Sequence, residues 1–113
     1  MIPKPNTAKD KASRRYNRRM ERDMCRKVVL EREGYRCRAC ALYGGTALDV
    51  HEIVPRSQGG SPFDPINCVA LCRRCHRAVT IHDLTINERD ASSALTFTTR
   101  DGETFSGKGS VDA

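Results

Sequence analysis

Residues 49–60 read DVHEIVPRSQGG. A histidine and a glutamate stand side by side at the entry to an apolar Ile-Val-Pro step, and the segment runs out into a basic loop with two glycines. Two Cys-x-x-Cys pairs bracket it, CRAC at 37–40 and CRRC at 72–75. The choice is between a loop merely pinned by cysteines and a loop that is held by them in order to present His51 and Glu52.

The bracketing cysteines come first. Cys37, Cys40, Cys72 and Cys75 are two short chelating knuckles, and two such knuckles brought together make a tetrahedral thiolate site of the kind that suits structural zinc. A redox pair of the thioredoxin type would be a single Cys-x-x-Cys beside an alternating βαβ pattern, which this chain lacks. Cys25 and Cys68 have no partner at knuckle spacing and are expected to be small buried apolar groups. A staple is needed in any case. With 113 residues, few aromatic side chains and no tryptophan, an apolar core alone is only marginally stabilising.

Charge is unevenly spread over the chain. The net charge is +6, but residues 1–36 hold twelve lysines and arginines against five acids, a net of +7. A basic arm before a near-neutral remainder suggests a polyanion as partner. No apolar stretch of signal-peptide or membrane-spanning length occurs, so the expected setting is the cytosol, with no membrane partner.

Along the chain, residues 1–8 contain two prolines and should be a loose lead. Lys9 to Arg32 has neither proline nor glycine and predicts a helix, stopped by Gly34. Tyr16, Met20, Met24 and Val28 recur every fourth residue, a narrow stripe expected to dock on the core while the arginines face outward. A short strand is expected over TALDV (46–50), turn chemistry over 56–67, and a helix from about the second cysteine pair. LTFTTRDGETF (95–105) alternates around Asp101–Gly102 like a hairpin. The last residues, GKGSVDA, should be disordered. Three segments result: a basic arm over 1–33, a cysteine-stapled unit over 34–84, and a tail over 85–113.

Taken as an ordered set, the zinc knuckle, VHEIVPRSQGG, Asn67 and CRRCH resemble the HNH endonucleases, in their zinc-knuckle subgroup and among their small phage-type members. The resemblance covers about residues 35–82. It implies an α+β fold, a zinc-stapled ββα-metal core preceded by the basic helix. It also implies a metal-dependent endonuclease that hydrolyses DNA phosphodiester bonds, nicking or cutting duplex DNA. In that family the residue before the base binds a catalytic divalent ion, here Mg2+ or Mn2+, and the base itself is a histidine. Carried over, His51 and His76 are the metal ligands, Asn67 braces the loop and orients the base, and Arg56 with Gly59–Gly60 forms a phosphate-contacting turn. Arg14, Arg15, Arg18, Arg19 and Arg22 would contact the DNA backbone. The chain departs from the family at Glu52, which stands where the base histidine is usual. Glu52 could act as base in its place, or ligate the metal while His51 acts as base. The alternative is a non-catalytic zinc-knuckle nucleic-acid binder. His82 lies about 120° round from His76 on one helix and is expected to be a surface residue at the helix end. Phage DNA-processing partners and a bacterial cytoplasm follow from the resemblance alone; the oligomeric state stays open.

Overall fold

The computed structural model describes residues 8–109. Helix α1 runs from Ala8 to Arg32 and is closed by Gly34 in the left-handed region (φ 65°). Tyr35 N–H reaches back to the Leu30 carbonyl there, a six-residue closure of the type glycine permits. The first cysteine pair follows in a tight turn in which Cys37 N–H donates to Leu42 O and Ala41 N–H to Cys37 O. Strand β1 (Asp49–Glu52) pairs antiparallel with β2 (Cys68–Leu71), His51 opposite Val69 and Glu52 opposite Cys68. Helix α2 (Arg73–Thr80) follows β2 at once, its N-terminus set by Cys72. Together these make the small α+β, ββα unit expected from the sequence, with the four cysteines gathered beside it.

Expectation and structure part at the N-terminal helix. Tyr16, Met20, Met24 and Val28 do not dock on the core; they are 63%, 47%, 59% and 43% exposed. Docking falls instead to Cys25, Val29 and Leu30, all buried. The reason is geometric. A four-residue repeat drifts by about 40° per step on an α-helix, so it cannot follow one straight contact line over four turns. Moreover, every described side chain from residue 11 to 24 is exposed, so this half of α1 has no core beneath it and overhangs. At about 100° per residue, Arg14, Arg15, Arg18, Arg19, Arg22 and Arg26 centre on the side that buries Cys25, Val29 and Leu30 further along. The arginines therefore face the core's side, and the apolar stripe faces away from it.

Beyond α2 the chain forms a three-stranded antiparallel sheet in the order β3 (Leu84–Ile86), β4 (Thr96–Thr99), β5 (Thr104–Ser106). The β4–β5 hairpin turns at Asp101–Gly102, Gly102 at φ 90°. Its first partner, β3, carried too few residues to be read from the pattern. Leu84, Leu95 and Phe97 share one buried cluster with Val29, Leu48, Val69 and Leu71. The C-terminal sheet thus packs on the same core as α1 and the ββα unit. Residues 107–109, expected to be disordered, are placed: Gly107 donates to Leu95 O, Lys108 to Ala39 O and Gly109 to Arg38 O. The rest of that expectation, and most of the proline-containing lead, lie outside the described residues.

One buried ion pair joins these parts. Arg38 donates to Glu33 Oε1 at 2.7 Å and to Ser93 O at 2.6 Å, and Arg32 donates to the same Glu33 oxygen at 2.7 Å. Glu33 and Arg38 are both buried, so removing either partner strands a charge, a loss of about 3–5 kcal/mol in comparable pairs. The pair fixes the end of α1, the first knuckle and the 91–93 segment to one another.

Candidate active site

The four knuckle cysteines come together as their spacing implied. Their sulfur atoms all lie within 4.8 Å of one another, and Cys40 Sγ to Cys72 Sγ is 3.7 Å. A tetrahedron with metal–sulfur bonds of about 2.3 Å has edges of about 3.8 Å, so the cluster has the size of a zinc site. All four cysteines are free, and the Cys40–Cys72 distance is far beyond an S–S bond of about 2.05 Å. Burial pushes the Cys37 and Cys75 thiols up, so without a cation they stay protonated; a bound divalent ion is what would hold them as thiolates. Cys25 and Cys68 are buried outside this cluster. Burial raises both thiols, Cys68 to about 12, and they are uncharged packing groups between α1 and β2.

Cys75 is followed directly by His76, so the cysteine cluster fixes the first turns of α2 and with them the histidine. His76 Nδ1 lies 3.1 Å from Asp49 Oδ2, and the His51 ring meets the His76 ring edge-on with centroids 5.2 Å apart. Strand alternation puts Asp49 and His51 on one face of β1 and Val50 and Glu52 on the other. Asp49, His51 and His76 therefore converge where the first strand meets the second helix. Two ligand atoms in neighbouring positions of an octahedral site with bonds of about 2.1 Å are about 3.0 Å apart. The Asp49–His76 pair matches that spacing, and an oxygen and an imidazole nitrogen suit a divalent cation of the Mg2+ to Mn2+ kind. Burial, and then the neighbouring His76, hold the His51 imidazole below the ordinary histidine value. It is consequently neutral at pH 7, the form that can accept a proton or ligate.

Asp49 was not singled out in the sequence, where attention fell on the adjacent His51–Glu52 pair. The signal was present two residues upstream, at the next position on the same strand face. Glu52 is opposite Cys68 in the ladder and sits 3.8 Å from Arg56. It lines a cleft of about 360 Å3 with Arg22, Arg26, Asp49 and His76. It also borders a second cleft, about 480 Å3, with His51 and His82. The structure thus gathers His51 and His76 with Asp49 and leaves Glu52 at the wall between two clefts. His82 lies past the end of α2, exposed and with φ 63°. Arg56 lies over the Phe63 ring at 5.2 Å.

Asn67 is buried and clamps the strand-joining loop. Its Oδ1 accepts Val54 N–H at 2.9 Å, and its Nδ2 donates to Val54 O at 2.9 Å and Ser61 O at 3.2 Å. Gly60 closes the same loop against β1's end, where an added Cβ would lie 1.7 Å from the Val54 carbonyl oxygen. Removing the amide in Asn67→Ala leaves one N–H and two carbonyls short of partners, so urea titration should show a loss of about 1–3 kcal/mol. Asn67→Asp, which replaces a donor by an acceptor facing two carbonyls, should lose more.

With this geometry in place, residues 36–81 match the family model described as HNH endonuclease. This segment is an HNH domain. No curated protein and no solved structure matches the chain. The matched segment begins just before the first knuckle and ends one residue past α2, so it takes in the cysteine cluster, Asp49, His51, Asn67 and His76. Helix α1 before Arg36 and the three-stranded sheet lie outside it. The HNH domain carries nuclease-type function as a class, and no helix among the described residues is long and apolar enough to cross a membrane.

Proposed function

We propose that the chain is a metal-dependent endonuclease that hydrolyses DNA phosphodiester bonds at the Asp49–His51–His76 cluster, with zinc held structurally by Cys37, Cys40, Cys72 and Cys75. The observation that carries the reading is the 3.1 Å approach of His76 Nδ1 to Asp49 Oδ2 beside a neutral His51. Asp49 and His76 would hold a divalent ion, Mg2+ or Mn2+. Such an ion, when bound, stabilises charge growing on the phosphoryl oxygens and on the departing 3′ oxygen. His51 takes a proton from the attacking water at its imidazole nitrogen. Asn67 keeps the loop after β1 in place, and with it His51. Glu52 holds Arg56 toward the cleft mouth, where the guanidinium can meet a phosphate.

Substrate binding falls to α1. Its arginine side overhangs the core, and Arg22 and Arg26 stand in the cleft with Asp49 and His76. A duplex laid against Arg14, Arg15, Arg18 and Arg19 would pass the cluster in that angle. Contacts of this kind go to phosphate and carry no sequence preference. Each arginine that neutralises a phosphate contributes about 0.9 to the slope of log affinity against log salt. Arg18→Ala/Arg22→Ala should therefore flatten that slope by about 2, measured by fluorescence anisotropy on a labelled duplex across a salt series.

The deciding experiment is relaxation of supercoiled plasmid by the zinc-loaded protein with Mg2+, Mn2+ or no added divalent ion. Ion-dependent nicking supports the endonuclease. Salt-sensitive retention of DNA with no cutting under either ion would instead leave a nucleic-acid binder on an HNH scaffold.

A further inference from the structure

The cleft of about 480 Å3 that His51 and Glu52 border has one wall outside the HNH match. His51, Ile53 and Gln58 reach it from β1 and the turn that follows, and Val79 from α2. His82 and Ile86 lie beyond residue 81, where the matched segment ends. His82 is held there against its backbone preference. With φ 63° it takes the left-handed position at the end of α2, around which Asp83 N–H donates to Ala78 O at 2.8 Å. Glycine suits that position, and a side chain there is strained. Arg100, in the β4–β5 turn, pins both neighbours: it donates to Ile81 O at 3.0 Å and pairs with Asp83 at 2.8 Å. The C-terminal sheet therefore fixes an exposed histidine on the wall of a cleft that His51 shares. We propose that this cleft receives one unstacked nucleobase of the cut strand, so that the preferred substrate is DNA with an unpaired nucleotide beside the scissile phosphate. The inference rests on the proposed function and names a substrate class for it.

Composition, charge and position together favour a base as the occupant. Ile53, Val79 and Ile86 are half-buried apolar side chains, and the imidazole of His82 adds a face on which a base can stack. The side chains of Gln58 and His82 are exposed, and neither makes a hydrogen bond among the described residues. Both are free to meet the donors and acceptors on a base edge. Apolar walls with a few polar groups, enclosing a volume of this order, are the usual make-up of a small-ligand site. Glu52 borders the cleft, so a phosphate seated there would meet a carboxylate, whereas a base is neutral. Because His51 lines the cleft, the group that reaches it is the nucleotide next to the phosphate under attack. A base stacked within a duplex does not enter such a recess. Extruding it costs pairing and stacking, and costs least where the base is already unpaired. Paired DNA keeps its own place on the other side of Glu52, in the cleft that holds Arg22 and Arg26.

The test uses three labelled duplexes: one fully paired, one with a single extra unpaired nucleotide, and one whose extra residue lacks its base. Affinity is read by fluorescence anisotropy on the zinc-loaded chain without Mg2+ or Mn2+, so the result does not depend on cutting. The unpaired nucleotide should tighten binding by at least about 10-fold, because the cost of extrusion is already met. The residue without a base should bind like the paired duplex. With Mg2+ or Mn2+ added, nicks should concentrate at the phosphates beside the unpaired nucleotide. His82→Gly should lose the preference while its thermal midpoint stays at least as high as the wild type's, since glycine relieves the strained position. Gln58→Ala, an exposed substitution, should weaken the preference. Equal affinity of the wild type for the paired and unpaired duplexes overturns the proposal, as does a His82→Gly protein that keeps the preference. Tight binding of the duplex without the extra base would overturn it in favour of a bent backbone. Preference in binding with no nicking under either ion would uphold the pocket and overturn the endonuclease instead.

Discussion

Cys75→Ser is expected to leave no folded HNH domain at 25 °C. Structural zinc bound by short peptides contributes an apparent 10–16 kcal/mol at neutral pH, roughly, and loss of one thiolate forfeits much of it. The whole stability of an ordinary domain is about 5–15 kcal/mol, so the loss exceeds what this chain can spare. The buried apolar cluster, which runs from Val29 through Leu71 to Phe97, is stapled through the same turn. Circular dichroism and bound zinc should fall together in Cys75→Ser, and a strong chelator added to the wild type should produce the same endpoint. Cys25→Ala and Cys68→Ala serve as contrasts. They remove packing atoms, so they should weaken the fold by a few kcal/mol at most and keep the zinc. A Cys75→Ser protein that kept its circular dichroism and unfolded cooperatively would show that the cysteine cluster is not the staple.

The second large effect is expected at His51 and His76. His51→Ala should lower the rate of plasmid nicking by about 10²–10⁴-fold, the range for loss of a positioned general base. His76→Ala should reduce nicking at least as much and should raise the divalent-ion concentration needed for half-maximal rate. Only the second behaviour identifies a ligand. Glu52→Gln preserves the size of a residue on the other strand face and should keep most of the activity. Should Glu52→Gln abolish nicking while His51→Ala retains it, the base role passes to Glu52. The pH profile gives a further check. Burial and the nearby His76 lower the His51 pKa in the folded protein, so the neutral, accepting imidazole survives to lower pH than in a free histidine. Wild-type nicking should accordingly be limited by a protonation below about 6.5, the unperturbed value, and that limb should disappear in His51→Ala.

Much of this arrangement was legible in the chain because it rests on short-range chemistry. The knuckle spacing and the helix stop at Gly34 are local, and each proved to have the geometry its residues imply. Asn67 bonds to Val54 and Ser61 in the loop between the strands. The direction in which α1 faces was not legible. A repeat of four apolar residues marks one side of a helix, but whether that side is covered depends on how far the core extends beneath it. Here Cys25, Val29 and Leu30 define the docked side, so the repeat stays bare on the opposite side, Val28 included, and the arginines take the core's side. Asp49 was hidden for a related reason: its importance comes from the pairing of β1 with the start of α2, a contact between residues 27 apart in the chain. Strand β3, three residues long, exists because Phe97 and Leu95 bring β4 alongside it, and a segment that short has no pattern of its own.

Cys75 and His76 are consecutive residues in one helical turn, and that adjacency fixes an order of events. The thiolate cluster draws on residues 37 to 75, so it cannot close until most of the chain has been synthesised. Until it closes, the start of α2 lacks the anchor that sets His76 opposite Asp49. On the proposed function, a newborn chain could not cut DNA before the cysteine cluster had captured its ion. Scarcity of that ion would silence the protein as completely as a missing histidine, without any change in its sequence.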